Sequence, residues 1–421
     1  MKNKTHDEHI LVEFKYIVLA ILLGSIAGHF LSDLGNYFVT IGNSYLALIQ
    51  LCIIPIVLIT VISSFEKIIR HKSNFPSVGK IFLLFIIGGL IAALWGLGIG
   101  YIAKPGLLRE EDKIILGKAL ISLQENSSLP LKVDKNSFMD FLSKIIPKNI
   151  FESLSKGNIA SVIIFGILFG VTLGSLPSKS AKSIGKIFDI IFETFYVLAK
   201  KIIRFLPIGV FFIFSGQISH LGFSIIKHLL ILISVIYLAL LMLVILHTFL
   251  MQFYCKVSFL KIMDALKEAL LVGFSTSSSF IAMPIALNCL QNHLKVNKLF
   301  SDLTFPVGLS ISPQGGIVFI AITIMAFSQM FEVALGVEEY LIAIIGSVIF
   351  AASAVGIPGG VVAFYPIYLA LGIPPELAIS ILLIIDPFLD QMITLTTIHA
   401  NCGVTAIGEK TLNIKNREYT N

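Results

Sequence analysis

The segment GLSISPQGGIVF, residues Gly308 to Phe319, lies inside a long apolar run of the kind that forms a membrane helix. Its centre, Ser312 to Gly316, combines a proline with two glycines, and both residue types weaken or break a helix interior. Irregular backbone at membrane depth is tolerated only where protein covers it or where it lines a water-filled cavity. The segment therefore predicts a membrane helix that is broken in its middle.

The composition of the chain is that of a polytopic membrane protein. It has 421 residues, of which 56% are hydrophobic and 13% are charged, whereas soluble domains carry about 25% charged residues. The net charge of +6 comes from dispersed basic residues, so we expect no nucleic-acid partner. The four cysteines lie far apart, which gives neither a disulfide framework nor a metal-ligand spacing. The polar N-terminus enters an apolar span without a cleavage site, which predicts an uncleaved first helix.

Six apolar segments before Lys256 are long enough to span a membrane. They lie at 15–33, 38–64, 78–103, 158–176, 205–222 and 224–253. A polar connection at 104–148 separates the third span from the fourth, and an amphipathic stretch at 180–204 leads into the fifth. Basic residues follow the second, fourth and sixth spans and the last one. This pattern predicts cytoplasmic N- and C-termini. The expected location is a bacterial inner membrane.

After Lys256 the apolar segments become shorter and are interrupted. Residues 259–292 form two short arms around GFSTSSSF, and residues 335–371 form two arms around SAVGIPGGVV. Each pair precedes a longer segment, at 297–330 and at 372–408. A hairpin followed by a helix, occurring twice, is typical of transporter repeats with a binding site near the bilayer midplane. An ordinary kinked helix is the alternative for either interruption. We predict an all-α fold with eight transmembrane helices and two re-entrant helical hairpins.

The last apolar segment carries polar side chains on one face. At 100° per residue they fall within an arc of about 100°. The polar residues are Asp386, Asp390, Thr394, Thr397 and Asn401, and the apolar Ile393 lies within the same arc. Because no Lys or Arg occurs between Phe300 and Glu409, an ammonium group, a metal cation or a proton could supply the missing positive charge. Alternatively, Asp386 caps a helix kink at Pro387. His399 lies on the opposite face and is interpreted as a packed or interfacial histidine.

The two hairpin tips have different chemistry. The serine run Ser275–Ser279 offers hydroxyls and free N–H groups at the start of a returning helix, where carboxylates bind favourably. The segment Gly356–Gly360 allows the backbone to approach a ligand closely. A plain serine loop and a simple Gly-Pro turn are the alternatives. An anion-friendly tip and a cation-friendly helix face together favour a zwitterionic ligand.

These motifs resemble those of the dicarboxylate/amino acid:cation symporters, the family of the glutamate transporter homologues. FSTSSSFIAMP resembles the first hairpin tip, GIPGGVV the second tip, and IIDPFLDQMITLTTIHANCGVTAIGEK the last helix. The resemblance covers nearly the whole chain and implies a homotrimer with an elevator mechanism. Residues 1–257 would then form mainly the scaffold, with span 78–103 joining the transport domain, and 258–421 would form the core of that domain. The second hairpin would be the extracellular gate.

The resemblance also implies a substrate site. Asp390 matches the family aspartate that binds a substrate amino group, and Thr394 matches its neighbour. Ser278 and Ser279 match tip serines near the substrate carboxylate. Ile393 stands where glutamate and aspartate carriers have an arginine. Thr397, where the family has an asparagine, and Gly359 of the second tip complete the predicted substrate-binding set.

The implied cation sites depart most from the family pattern. The broken helix holds sodium in the family, but its Asn and Asp ligands are Ser312 and Gln314 here, and the final aspartate ligand of the last helix is Asn401. Phe85, Gly88 and Gly89 replace a Tyr and a Thr-Ser pair on the third span. Two of the three implied sodium sites thus lose their charge, while Ser310 keeps one hydroxyl of the third. The degenerate cation or proton site comprises Ser310, Ser312, Gln314, Asp386 and Asn401.

The function that these residues favour is secondary transport of a small solute with an amino group, most simply a neutral amino acid. Coupling would use protons at Asp390 or Asp386, or fewer sodium ions than usual, with Na+ at one residual site. The alternatives are an uncoupled amino-acid exchanger or leaky, channel-like relative, and a sensor or interaction protein on a decayed transporter fold. An enzyme is not expected, because the sequence has no nucleophile–base pair. The expected partners are membrane lipid and further copies of the chain.

Overall fold

The computed structural model describes residues 16, 19–71, 78–108, 149–155, 159–221, 224–354 and 360–411. The described residues are helical or irregular and contain no strand. The α-helices, in chain order, are α1 (Leu19–Phe30), α2 (Gly35–His71), α3 (Val78–Ala103), α4 (Ile150–Ser155), α5 (Ile159–Ser175), α6 (Ser178–Ile203), α7 (Leu206–Leu221), α8 (Ser224–Cys255), α9 (Phe259–Thr276), α10 (Ser279–Asn288), α11 (Lys298–Ile311), α12 (Gln314–Met330), α13 (Val337–Ala354), α14 (Tyr365–Ala370) and α15 (Pro375–Thr411). Short 3₁₀ segments lie at Ser32–Leu34 and Gly360–Phe364, and a π-helical turn lies at Cys289–His293.

The apolar spans predicted before Lys256 agree with helices, with some changes of boundary. Helix α2 extends beyond the predicted span 38–64 at both ends. The first span, predicted at 15–33, ends as a helix at Phe30 and continues as a 3₁₀ turn. The amphipathic stretch predicted at 180–204 is the helix α6. Most of the polar connection 104–148 lies outside the described residues.

The long helix α2 is the centre of the first group of helices and contacts α5, α6 and α7. On α5, glycines at every fourth position face α2. A Cβ at Gly170 would lie 2.6 Å from the carbonyl oxygen of Ile62, and one at Gly174 would lie 2.7 Å from that of Glu66. Small residues at this spacing let helix backbones approach closely in a membrane, where the hydrophobic effect does not drive helix association.

The second group of helices surrounds α15, which contacts α8, α9 and α12. Helix α12 is almost completely buried and packs along α3. Gly96 of α3 permits this approach, since a Cβ there would lie 2.7 Å from the Cβ of Ala321. Both α3 and α8 thus contact the later half of the chain. The division into a scaffold and a transport domain at residue 257 stays a prediction.

The first predicted hairpin is a pair of contacting helices, α9 and α10. The 18 residues of α9 end at Thr276. Ser277, which follows, has a left-handed conformation (φ 47°), and α10 begins at Ser279. The arms are about 27 Å and 15 Å long at 1.5 Å per residue. Each arm is shorter than the roughly 30 Å of a bilayer's hydrocarbon core, and the re-entrant path of the pair stays a prediction.

The second predicted hairpin begins with α13 and returns through the 3₁₀ segment and α14. Its tip, residues 355–359, lies outside the described residues, and with it the predicted site residue Gly359. The returning 3₁₀ segment contacts α2 of the first group and α15 of the second.

Within the described residues, four helical stretches are long and apolar enough to cross a membrane. They are Phe82–Ala103, Lys227–Cys255, Phe300–Met330 and Pro375–Thr411. The stretch Phe300–Met330 comprises most of α11 and all of α12 and contains the break predicted from the sequence. The architecture is that of an all-α integral membrane protein.

Candidate functional site

The predicted break between α11 and α12 is present. Ser312 (φ −139°, ψ 65°) and Pro313 (φ −75°, ψ 78°) have non-helical backbone, and α12 starts at Gln314. The N–H of Ser312 still donates to the carbonyl oxygen of Gly308, and helical bonding resumes where Ile317 N donates to Pro313 O. Pro313 has no N–H and fixes its φ angle, so the break follows from its own chemistry.

Helix α15 satisfies part of the exposed backbone at this break. The hydroxyl oxygen of Thr397 accepts a hydrogen bond from Gly315 N at 3.2 Å. The side-chain amide of Asn401 donates to Ser312 O at 3.2 Å and to Thr397 O at 2.8 Å. The contact is so close that a Cβ at Gly315 would overlap the carbonyl oxygen of Ile393. Three residues of the predicted face, Ile393, Thr397 and Asn401, therefore meet the break.

Helix α3 covers the break from another side. The residues involved are those that the family resemblance places beside it, Phe85, Gly88 and Gly89. A Cβ at Gly88 would lie 2.7 Å from the side-chain nitrogen of Gln314, and one at Gly89 would lie 3.3 Å from the hydroxyl of Ser312. Phe85 is completely buried and lies against Gly308. The two glycines leave room for the polar side chains of the break and contribute no side-chain oxygen.

Several polar atoms at the break have no hydrogen-bond partner among the described residues. They are the hydroxyl of Ser312, the amide oxygen and nitrogen of Gln314, and the amide oxygen of Asn401. All three residues are completely buried. A hard cation prefers charged or numerous oxygen ligands. This set is neutral and includes the N–H₂ donor of Gln314, so the residues present fit Na+ poorly.

Ser310, the remaining predicted residue of this set, behaves differently. It is half-buried, and its hydroxyl donates to the carbonyl oxygen of Pro306 at 3.1 Å. Serine hydroxyls bound in this way to the preceding turn keep lone pairs free to accept another bond.

Two carboxylates, Asp386 and Asp390, lie one turn apart on α15. Both are half-buried. Within the part of the chain that the structure describes, neither makes a hydrogen bond or an ion pair. The alternative that Asp386 caps a kink at Pro387 finds no support, because α15 continues through Pro387 and Asp386 bonds no backbone group there. Two carboxylates without a cationic side chain nearby make this turn of α15 a candidate site for a cationic ligand or a proton.

The first hairpin meets α15 one to two turns after Asp390. A Cβ at Gly273, near the end of α9, would overlap the side chain of Ile398 and would lie 3.7 Å from that of Thr394. At the tip, Ser278 caps α10 by accepting a hydrogen bond from Ile281 N at 3.4 Å. Ser279 is buried as the first residue of α10. The structure thus joins the hairpin to Thr394, and joins Ile393, Thr397 and Asn401 to the break.

Helix α8 contributes two contacts that sequence analysis missed. The hydroxyl of Tyr237 donates to the carbonyl oxygen of Phe388 at 2.6 Å. The ring nitrogen Nε2 of His399 lies 3.0 Å from Thr248 Oγ1. Because that hydroxyl donates to Val244 O at 2.8 Å, it accepts from His399. The interpretation of His399 as a packed histidine is confirmed, since the residue is completely buried.

Comparison with known proteins agrees with this architecture. The model of the sodium:dicarboxylate symporter family matches residues 14–411, which is nearly the whole chain. The chain belongs to the sodium:dicarboxylate symporter family.

Relatives align along most of their lengths. A C4-dicarboxylate transport protein of Bacillus subtilis is 26% identical over 401 residues, which covers 94% of this chain and 93% of the relative. A C4-dicarboxylate transport protein of Rhizobium leguminosarum is 24% identical over 408 residues, covering 96% and 89%. A proton/glutamate-aspartate symporter of Escherichia coli is 24% identical over 393 residues, covering 91% and 88%. The family and these relatives are transporters and not enzymes, and the chain is a secondary transporter of this family.

Proposed function

We propose that the protein transports a small neutral solute that carries an amino group, most simply a neutral amino acid, and that protons contribute to coupling. The observation that carries this proposal is the pair of half-buried carboxylates, Asp386 and Asp390, which have no cationic partner among the described residues. In this arrangement Asp390 pairs with the substrate ammonium group. Thr394 and Thr397 lie beside it on the same helix.

The substrate carboxylate is assigned to the first hairpin tip. Ser278 caps α10, and the first N–H groups of a helix favour negative charge. A tip that binds an anion and a helix face that binds a cation suit a zwitterion.

The names of the relatives point to C4-dicarboxylates and to glutamate and aspartate. A second substrate carboxylate would require a positively charged partner, because leaving it buried without one costs several kcal/mol, at least about 3. The sequence between Phe300 and Glu409 has no Lys or Arg, and Ile393 supplies only an apolar surface. These features support a neutral substrate over a dicarboxylate.

Proton coupling is favoured over full sodium coupling by the chemistry of the break. Its side chains, Ser312, Gln314 and Asn401, are neutral, while α15 offers two carboxylates that can take up a proton. Sodium at one residual site near Ser310 is the second candidate coupling ion. It is favoured by the half-buried position of that hydroxyl.

For the assembly, we propose a homotrimer with an elevator mechanism, in which the α15-centred group moves against the α2-centred group. The contacts within each group support this division. Cytoplasmic termini in a bacterial inner membrane belong to the same proposal. Helices α8 and α15 run parallel, since Tyr237 contacts Phe388 and Thr248 contacts His399. Their C-terminal ends therefore lie on the same side of the membrane, and the basic residues there, Lys256 and Lys410, favour the cytoplasmic side.

The test is uptake by purified protein in proteoliposomes, with one ion gradient imposed at a time. We expect uptake of a neutral amino acid such as L-alanine, L-serine or L-leucine, a strong response to an inward proton gradient, and a weak response to sodium. Succinate and aspartate should be poor competitors. Uptake of succinate with steep sodium dependence and no response to pH would contradict the proposal.

A further inference from the structure

The α8–α15 seam, defined by Tyr237, Thr248, Phe388 and His399, has a regular geometry. The bonds Tyr237–Phe388 and Thr248–His399 are separated by 11 residues on α8 (248 − 237) and by 11 residues on α15 (399 − 388). Eleven residues are close to three turns, or about 16 Å. Equal spacing in the same chain direction means that the two helices run parallel and are held in register at two points.

The first of these two hydrogen bonds, from Tyr237 to Phe388 O, lies at the carboxylate pair. Phe388 is halfway between Asp386 and Asp390 and directly follows Pro387. Pro387 has no N–H, so the turn that ends there lacks one helical hydrogen bond. The bond from Tyr237 therefore reaches α15 at the residue that directly follows this missing bond.

The same bond lies on the opposite side of α15 from the carboxylates. At 100° per residue, Phe388 is rotated by about 200° from Asp386 and by a similar angle from Asp390. Holding the Phe388 side of this turn against α8 directs both carboxylates away from α8. Trp95 Nε1 in turn donates to the carbonyl oxygen of Ala239, which fixes α8 to α3 close to Tyr237. The carboxylate turn is thus tied through α8 to α3.

We infer that Tyr237 is a positioning residue for the carboxylate pair. It does not touch the substrate, and it fixes the turn of α15 that presents Asp386 and Asp390. This inference deepens the proposed function and rests on it where it concerns amino-acid binding. The Thr248–His399 bond, three turns away, supports packing of the same two helices without setting the carboxylates.

The test compares Tyr237→Phe with the matched control Thr248→Val. Each change removes one hydrogen bond across the seam, and Thr248→Val also removes the bond from Thr248 to Val244 O within α8. Phe388 O keeps its place in the helix, so both variants should fold. The first readout is the rate at which dicyclohexylcarbodiimide modifies Asp386 and Asp390, measured by mass spectrometry of the labelled peptide. The second readout is the dissociation constant for L-alanine, L-serine and L-leucine, and the third is the melting temperature.

We expect Tyr237→Phe to change the ratio of labelling at the two carboxylates at least threefold. It should weaken amino-acid binding by about three- to tenfold, the usual effect of losing one hydrogen bond. Thr248→Val should change only the melting temperature. Unchanged labelling in Tyr237→Phe, or an equal change in Thr248→Val, would overturn the inference. If the wild-type protein binds none of these amino acids, the proposed function fails, and the labelling ratio still decides the role of Tyr237.

Discussion

Replacing Asp390 with asparagine should remove most of the affinity for amino-bearing substrates. The substitution preserves the shape of the side chain and deletes its charge. At 4 Å and an effective dielectric constant of 20, an ammonium–carboxylate pair is worth about 4 kcal/mol. Asp390 is half-buried, so water screens part of this attraction, and we take about 2 kcal/mol as the lower bound. With 1.36 kcal/mol for each factor of ten, the dissociation constant should rise by about 30-fold to 900-fold.

The measurement is isothermal titration of L-alanine, L-serine and L-leucine into purified protein. The chain has a single tryptophan, Trp95, so tryptophan fluorescence followed in a parallel titration comes from one known position. Asp386→Asn is the matched control, because it makes the same chemical change one turn earlier, and its dissociation constant should stay within about threefold of wild type. Wild-type affinity in Asp390→Asn, or equal losses in both variants, would refute the assignment of the ammonium group to Asp390.

Three further changes test the substrate pocket, the break and the coupling. Ile393→Arg adds a cation where a neutral substrate needs none, so competition by aspartate should strengthen at least tenfold while L-leucine affinity falls. Gly315→Ala should lower the melting temperature clearly, because the new Cβ would overlap Ile393 O, whereas Gly316→Ala should be neutral or slightly stabilising, since its nearest neighbour would be Ala351 Cβ at 3.5 Å; similar melting temperatures would contradict the close packing at the break. Asp386→Asn should bind amino acids but lose the response of uptake to a proton gradient, and an unchanged response would exclude Asp386 as the proton carrier.

Features that depend on local chemistry could be predicted from the sequence. The break at Ser312 and Pro313 follows from a proline and two glycines in an apolar segment. The hairpin tip at Ser277 and Ser278 follows from the serine run, since serine favours helix caps over helix interiors. In both cases, residues within a few positions of each other determine the backbone conformation.

Features that depend on distant residues could not be predicted in the same way. The bond from Tyr237 to Phe388 joins residues 151 positions apart, and nothing in the local sequence of either helix indicates the register between them. The close approach of α15 to Gly315 is a similar case. The sequence predicts that Gly315 weakens the helix. In the structure Gly315 has a second role, because a Cβ at this position would overlap Ile393 O.

The two carboxylates have different roles in the proposed mechanism, because a different positive charge neutralises each of them. If the substrate ammonium and the proton both used Asp390, each would exclude the other, and the protein would exchange them instead of carrying them together. In the proposed complex, the ammonium compensates Asp390, and the start of α10 compensates the substrate carboxylate. Asp386 is then the one charged group of this site left without a partner, and closing the site over it would bury an unpaired charge at high cost. A proton on Asp386 removes that cost, so substrate movement becomes tied to proton movement even though the two ligands bind different side chains. Asparagine at position 386 imitates the protonated state, and for that reason Asp386→Asn should keep binding while it loses proton dependence.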